Sequence, residues 1–230
     1  MKKTISSGGV LWWLLFAVLF LVLALGVLLM LKPRLAVVER KDAVEGILAA
    51  LSEGESEIVV DPDALQVAGE DAFTDEIDAL FQSDPYGQIR EEASTLTLLG
   101  EILIPKIELH LPISEGAHNL QLRYGAAHVE LSALPGQPGT CVLLGHRMLE
   151  YGDQFNRFGE LEEGDEIYLR NLDGERFDYT VTRIEIVRPS EVQNALYFPA
   201  EEKLLALITC DPIETAANRM IVWCEQTDSK

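Results

Sequence analysis

Leu204-Leu205-Ala206-Leu207-Ile208-Thr209-Cys210-Asp211-Pro212 is a short apolar run that ends on a thiol and is stopped by an Asp-Pro pair. It reads as a buried β-strand with a cysteine at its mouth. A second run of the same kind, Thr140-Cys141-Val142-Leu143-Leu144, leads into Gly145-His146-Arg147, sixty-four residues before the cysteine. Arg219 follows nine residues after Cys210, just before the strand-like Met220–Glu225. Working outward, Glu166–Arg170 and Arg176–Val187 are further strand patterns, joined by the hairpin turn Asn171-Leu172-Asp173-Gly174. Glu163-Gly164-Asp165 introduces the first of them, and Gly100–Ile113 is a strand pattern with prolines at its irregularities. Short strands with only brief helical pieces between them predict an all-β barrel or sandwich of roughly 130 residues. That length is enough to bury a core.

The N-terminus has a different texture. Val10–Leu31 is 22 residues without a charge. As a helix it would cover about 33 Å, enough to cross a hydrocarbon core of about 30 Å. Trp12 and Trp13 stand at its start, where indoles favour the headgroup layer. The run is longer than a signal-peptide core and ends in Leu31-Lys32-Pro33-Arg34, so an uncleaved single-pass anchor is expected. Lysines and arginines flank both ends, so charge does not orient the span. Residues 35–98 read as an acidic helical stalk. Ala43, Ile47, Leu48 and Leu51 share one helical face, and Phe73, Ile77, Leu80 and Phe81 repeat the pattern. Glu53–Ala68 between them carries loop signals. Three regions are thus expected: 1–34, 35–98 and 99–230.

Of the 18 basic residues, four lie in the first 34, whereas all 38 acidic residues lie from Glu39 onward, giving 14 − 38 = −24 for the soluble part. Such a surface repels phosphate backbones, which excludes nucleic-acid binding as the expected role. Three cysteines, Cys141, Cys210 and Cys224, are too few and too scattered for a disulfide framework or a zinc site. No cofactor or metal is expected. A Cys141–Cys224 bridge is left open by the sequence.

A thiol works as a nucleophile only as thiolate, so it needs a neighbour to share its proton. Histidine suits that task near neutral pH and can hand a proton to a leaving amine. A fixed guanidinium can stabilise the oxyanion of an acyl-transfer intermediate. Cys210, His146 and Arg219 supply these three groups at strand ends. Taken singly, each also fits a core or surface position, and spacing alone leaves both readings open.

The local sequences go further. Leu207-Ile208-Thr209-Cys210, Gly145-His146-Arg147 and Asn218-Arg219-Met220-Ile221-Val222 resemble, in order and spacing, three signature segments of the sortases. These are the membrane-anchored cysteine transpeptidases of Gram-positive bacteria. The resemblance runs over roughly 99–225 and includes Gly100–Ile107 and Leu131–His146. It implies the sortase eight-stranded β-barrel behind a transmembrane helix and a helical or loop stalk. It also implies that Cys210 attacks the Thr–Gly bond of an LPXTG-like sorting signal on a surface or pilin protein. Arg219 would hold the substrate or its oxyanion, and His146 would protonate the departing amine. Thr209 would line the same pocket in support. A second amine, from a pilin lysine or a cell-wall precursor, would resolve the thioester outside the cell membrane. His110, His118 and His128 are rival imidazoles, with His146 preferred.

Asp84-Pro85-Tyr86 resembles the Asp-Pro-aromatic lid of class C, pilin-polymerising sortases, with Asp84 facing the catalytic arginine. The chain ends without the second hydrophobic anchor usual in that class. An L,D-transpeptidase-like wall enzyme is the alternative, but it expects Ser-x-Gly-Cys where Ile208-Thr209 precedes the thiol. The non-enzymatic alternative is an anchored scaffold, which an altered Cys, His or Arg would have marked.

Overall fold

A computed structural model describes residues 7–62, 64–65, 94–196 and 201–227. The chain falls into two units, Met1–Glu39 and Arg40–Lys230. Helix α1 (Ser7–Ser52) contributes to both. In the first unit, the side chains described from Trp12 to Leu28 are all exposed, almost all of them apolar. Among the described residues no helix is long and apolar enough to cross a membrane.

In the second unit the strands are β1 (Glu57–Val59), β2 (Thr95–Ile104), β3 (Leu109–Glu115), β4 (Ala126–His128), β5 (Gly139–Leu144), β6 (Glu166–Asn171), β7 (Arg176–Val187), β8 (Lys203–Asp211) and β9 (Asn218–Thr227). Eight of them close in the order β2-β3-β4-β5-β8-β9-β7-β6, with β6 returning to β2. This is the expected eight-stranded barrel. The β3–β4 and β5–β8 pairs are parallel and the other pairs antiparallel, so the barrel is mixed. Short helices α2 (Asn119–Tyr124) and α3 (Gln193–Leu196) occupy two of the connections.

Strand alternation explains why β5, β8 and β9 read as unbroken apolar runs. On β8, Leu205 and Leu207 point into the barrel and join Cys141, Leu143, Val222 and Cys224. Ala206 and Ile208 point outward and join Val142, Leu144, Ile221 and Trp223 beneath Leu122 of α2. Both faces are covered, so neither needs polar residues. The barrel closes where Gly100, at φ +150°, pairs with Asn171. A Cβ there would run into the Arg170 carbonyl, so this seam requires glycine.

The part of α1 from Arg40 onward packs on the barrel, as its periodicity predicts. Val44, Ile47 and Leu51 are buried, and Ala43 and Leu48 pack beside them. One expectation needs correction: the segment read as loop after α1 contains β1, which pairs antiparallel with Thr95–Thr97 at the start of β2. Its three residues, Glu57-Ile58-Val59, are too few to show a period. The second stalk helix around Phe73–Phe81 and the Asp84-Pro85-Tyr86 motif lie outside the described residues.

Candidate active site

The site is built by register. The parallel ladder of β5 and β8 pairs Leu143 with Leu207 and Leu144 with Ile208, an offset of sixty-four residues. The offset persists beyond the last pair. Gly145 N donates to Ile208 O at 3.1 Å, and Thr209 Oγ1 donates to Gly145 O at 2.6 Å. Carried one residue past this bond, the same offset would bring His146 beside Cys210. On the other side of β8 the antiparallel ladder sets Cys210 directly opposite Arg219 on β9. Cys210 and Arg219 are thus cross-strand partners, and His146 follows two residues beyond the end of β5 on the other side of β8.

Alternation also sets the face. Cys210 follows Ala206 and Ile208 and packs with them on the outer cluster, while Arg219 precedes Ile221 and Trp223 of the same cluster. The Cys210 and Arg219 side chains thus project from the outer face at the strand mouths. Cys210 is half-buried, whereas His146 and Arg219 are buried. A partly covered thiol between two buried cations or proton carriers is what an acyl-transfer site requires: reach for a substrate carbonyl, and shielding of the groups that tune the sulfur.

Each flanking group is held by its own local structure. Arg219 Nη1 donates to the carbonyls of Ala216 and Asn218, both at 2.8 Å. The β8–β9 turn presents these oxygens because Ala216 adopts φ +50°. His146 is fixed through its backbone: Phe155 N donates to His146 O at 3.1 Å, and Arg147 bridges to Gln154. Gln154 in turn anchors this returning loop by donating to Leu122 O and Arg123 O at 3.0 and 3.1 Å. Gly145 matters for a steric reason, because a Cβ at that position would lie 2.6 Å from the Phe155 ring.

Thr209 is completely buried, and alternation turns it to the barrel side, away from Cys210. Its hydroxyl braces Gly145 instead of lining the outer pocket. The rival histidines have other settings. His128 is fully buried, with its ring nitrogens 3.1 Å from the Glu115 carboxylate, 3.0 Å from Ser132 Oγ and 3.1 Å from Ala133 O. His110 lies 2.7 Å from Glu101, and His118 stands at the start of α2. Cys141 and Cys224 are free thiols in the barrel core. They flank Leu205 on opposite sides of β8, two strand spacings apart, beyond the reach of a disulfide. Sequence reading misses Arg147 and Asp211, whose side chains form an ion pair beside Cys210. Their separation of sixty-four residues, shared with His146–Cys210, is the signal that could have found them.

Comparison with known proteins agrees with this geometry. A family model described as the sortase domain matches residues 102–227, more than half of the chain. The chain is 36% identical over 119 residues to sortase D of Bacillus subtilis, covering 52% of this chain and 57% of that protein. It is 31% identical over 138 residues to sortase A of Streptococcus agalactiae, covering 58% of this chain and 55% of that protein. It thus spans a little over half the length of these curated relatives. Among solved structures, sortase C from Clostridium perfringens superposes with a TM-score of 0.55 at 26% identity, over 80% of this chain and 99% of that one. The relatives carry different class letters, but the sortase-domain match spans more than half of the chain, and the chain belongs to the sortase family of cysteine transpeptidases.

Proposed function

We propose that this chain cleaves an LPXTG-like sorting signal between Thr and Gly and passes the acyl group to an amine. The cross-strand pair Cys210–Arg219, with His146 just past the end of the neighbouring strand, supports this reading. The Cys210 thiolate attacks the threonine carbonyl carbon, and the tetrahedral oxyanion faces the Arg219 guanidinium. The C–N bond breaks as His146 gives its proton to the departing glycine amine, leaving a thioester on Cys210. An incoming amine attacks the thioester and gives its proton to His146, the C–S bond breaks, and the Cys210 thiolate is restored. The acceptor is a pilin lysine or a cell-wall precursor, for pilus assembly or wall anchoring of surface proteins. Thr209 supports the reaction by holding Gly145, and through it the histidine.

The same reading places Val10–Leu31 in the cell membrane as a single-pass anchor, with the catalytic unit outside. The hydrophobic run and the exposed apolar side chains of Trp12–Leu28 support it. The stalk of residues 35–98 would carry a class C-like lid at Asp84-Pro85-Tyr86, a reading that rests on the motif alone.

The test uses the full chain with a fluorogenic LPXTG-type peptide and mass spectrometry of the quenched enzyme. The expected result is an acyl adduct on Cys210 and no cleavage by Cys210→Ala. Undiminished cleavage by that variant would overturn the assignment.

A further inference from the structure

We infer that the Arg147–Asp211 ion pair is a positioning brace that fixes the distance between His146 and Cys210; this rests on the proposed function. Arg147 directly follows His146, and Asp211 directly follows Cys210. Their side chains pair through Arg147 Nη1 and Asp211 Oδ1, and the same Nη1 lies 3.4 Å from Cys210 O. One residue before Cys210, Thr209 Oγ1 reaches Gly145 O at 2.6 Å. The reactive pair is thus bracketed by two side-chain rungs at the same offset as the ladder below it. Beyond the Gly145 N–Ile208 O bond the β5–β8 ladder has no further pairs, and these two side-chain rungs continue the connection.

The pair lies on the reverse side of β8 from Cys210. Asp211 alternates with Cys210 along β8 and so turns to the face that holds Thr209. Arg147 Nη2 lies where a Cβ on Gly159 would come within 2.8 Å, so the absence of a side chain at Gly159 leaves room for the guanidinium. With side-chain exposures of 8% and 21%, the pair is shielded enough for its geometry to be held, unlike an ion pair in open solvent. A fork donor shared between a carboxylate and a carbonyl fixes direction as well as distance. The brace acts through His146 and Cys210 and does not touch substrate.

A brace and a local charge predict different signs. If the pair acted only through its field, removing Arg147 would disfavour the neighbouring thiolate and removing the Asp211 charge would favour it. If it acts by position, both changes loosen the same contact and slow the same step. The test compares Arg147→Met, Asp211→Asn and the double variant in the full chain, each checked for folding by near-UV circular dichroism. Two rates are read: peptide cleavage, and alkylation of Cys210 by iodoacetamide located by mass spectrometry. Each single variant is expected to lower kcat about tenfold or more with KM within about twofold, because small misplacements at a reacting centre act on the chemical step. Both are also expected to slow alkylation, with the double variant no worse than either single one. Unchanged rates, opposite signs in the alkylation of the two singles, or a change confined to KM would overturn the brace. The alkylation reading needs no peptide. A wild-type chain that is alkylated at Cys210 yet cleaves no LPXTG-type peptide would therefore overturn the proposed function, while the brace is still judged.

Discussion

Two cross-strand rows on β5, β8 and β9 contain the three cysteines of this chain, and they differ in nearly everything else. In the lower row, Cys141 and Cys224 flank Leu205 inside the barrel. In the upper row, five residues along β8, Cys210 pairs with Arg219 on β9, and His146 lies just beyond the end of β5. Burial pushes the Cys141 and Cys224 thiols far above their usual range, with the Glu115 charge adding to the effect at Cys141. The same strands thus hold two thiols as small hydrophobes and expose a third to groups that can share its proton. Under the proposed function, depth and neighbours, not residue type, make Cys210 the reactive thiol.

The comparison can be broken first at the guanidinium. Arg219→Ala is expected to lower kcat for peptide cleavage by about 10²–10³, the usual cost of losing one oxyanion donor. Cys224→Ala, one row lower on the same strand, should leave kcat per folded molecule unchanged. A comparable loss from both, measured by active-site titration, would erase the distinction between the rows.

A smaller effect separates the two buried imidazoles. His128→Ala leaves the Glu115 carboxylate and Ser132 without their partner and should cost about 1–3 kcal/mol of stability in urea unfolding, with kcat retained in the folded fraction. His146→Ala should show the reverse pattern. Loss of activity in a fully folded His128→Ala would return that residue to the catalytic candidates.

The smallest effect is on pH dependence. Unfolded cysteine ionises near pH 8.5, whereas Cys141 and Cys224 keep their protons in the fold. Above that pH the unfolded chain binds fewer protons than the native one, so stability falls as pH rises, by up to about 1.4 kcal/mol per pH unit for each thiol. Tyr179, also raised by burial, adds to the fall at higher pH. Unfolding of wild type and of Cys141→Ala/Cys224→Ala between pH 8 and pH 10 should show a shallower slope in the variant. Equal slopes would mean that the core thiols ionise in place.

Much of the barrel and of its reactive row is legible in the amino-acid sequence. Strands buried on both faces leave continuous apolar runs, which is why the runs for β5, β8 and β9 match the strands to within two residues, β9 starting at Asn218 where Met220 is expected. The pairing of Cys210 with Arg219 is legible because each stands at the end of such a run. Thr209 is misplaced when nearness in sequence is taken for a shared pocket, whereas alternation sends adjacent strand residues to opposite faces. Arg147 and Asp211 escape notice because a charge beside a catalytic residue has no signature of its own. Only the parallel register of β5 and β8, a long-range fact, turns their equal offset into a contact. The three-residue β1 leaves no period to read.

The aromatic stack under the histidine has its own consequence. Phe155 and Phe158 lie 3.9 Å apart at 14° in the barrel core, fully buried, and the Gly145 backbone rests against the first ring. No flexible linker separates that stack from the imidazole, so His146 has no freedom that the core lacks. Under the proposed function, heat or mutation that slackens the aromatic pair is expected to displace His146 while the strands still hold together, so turnover should fall before a probe of strand content reports a change.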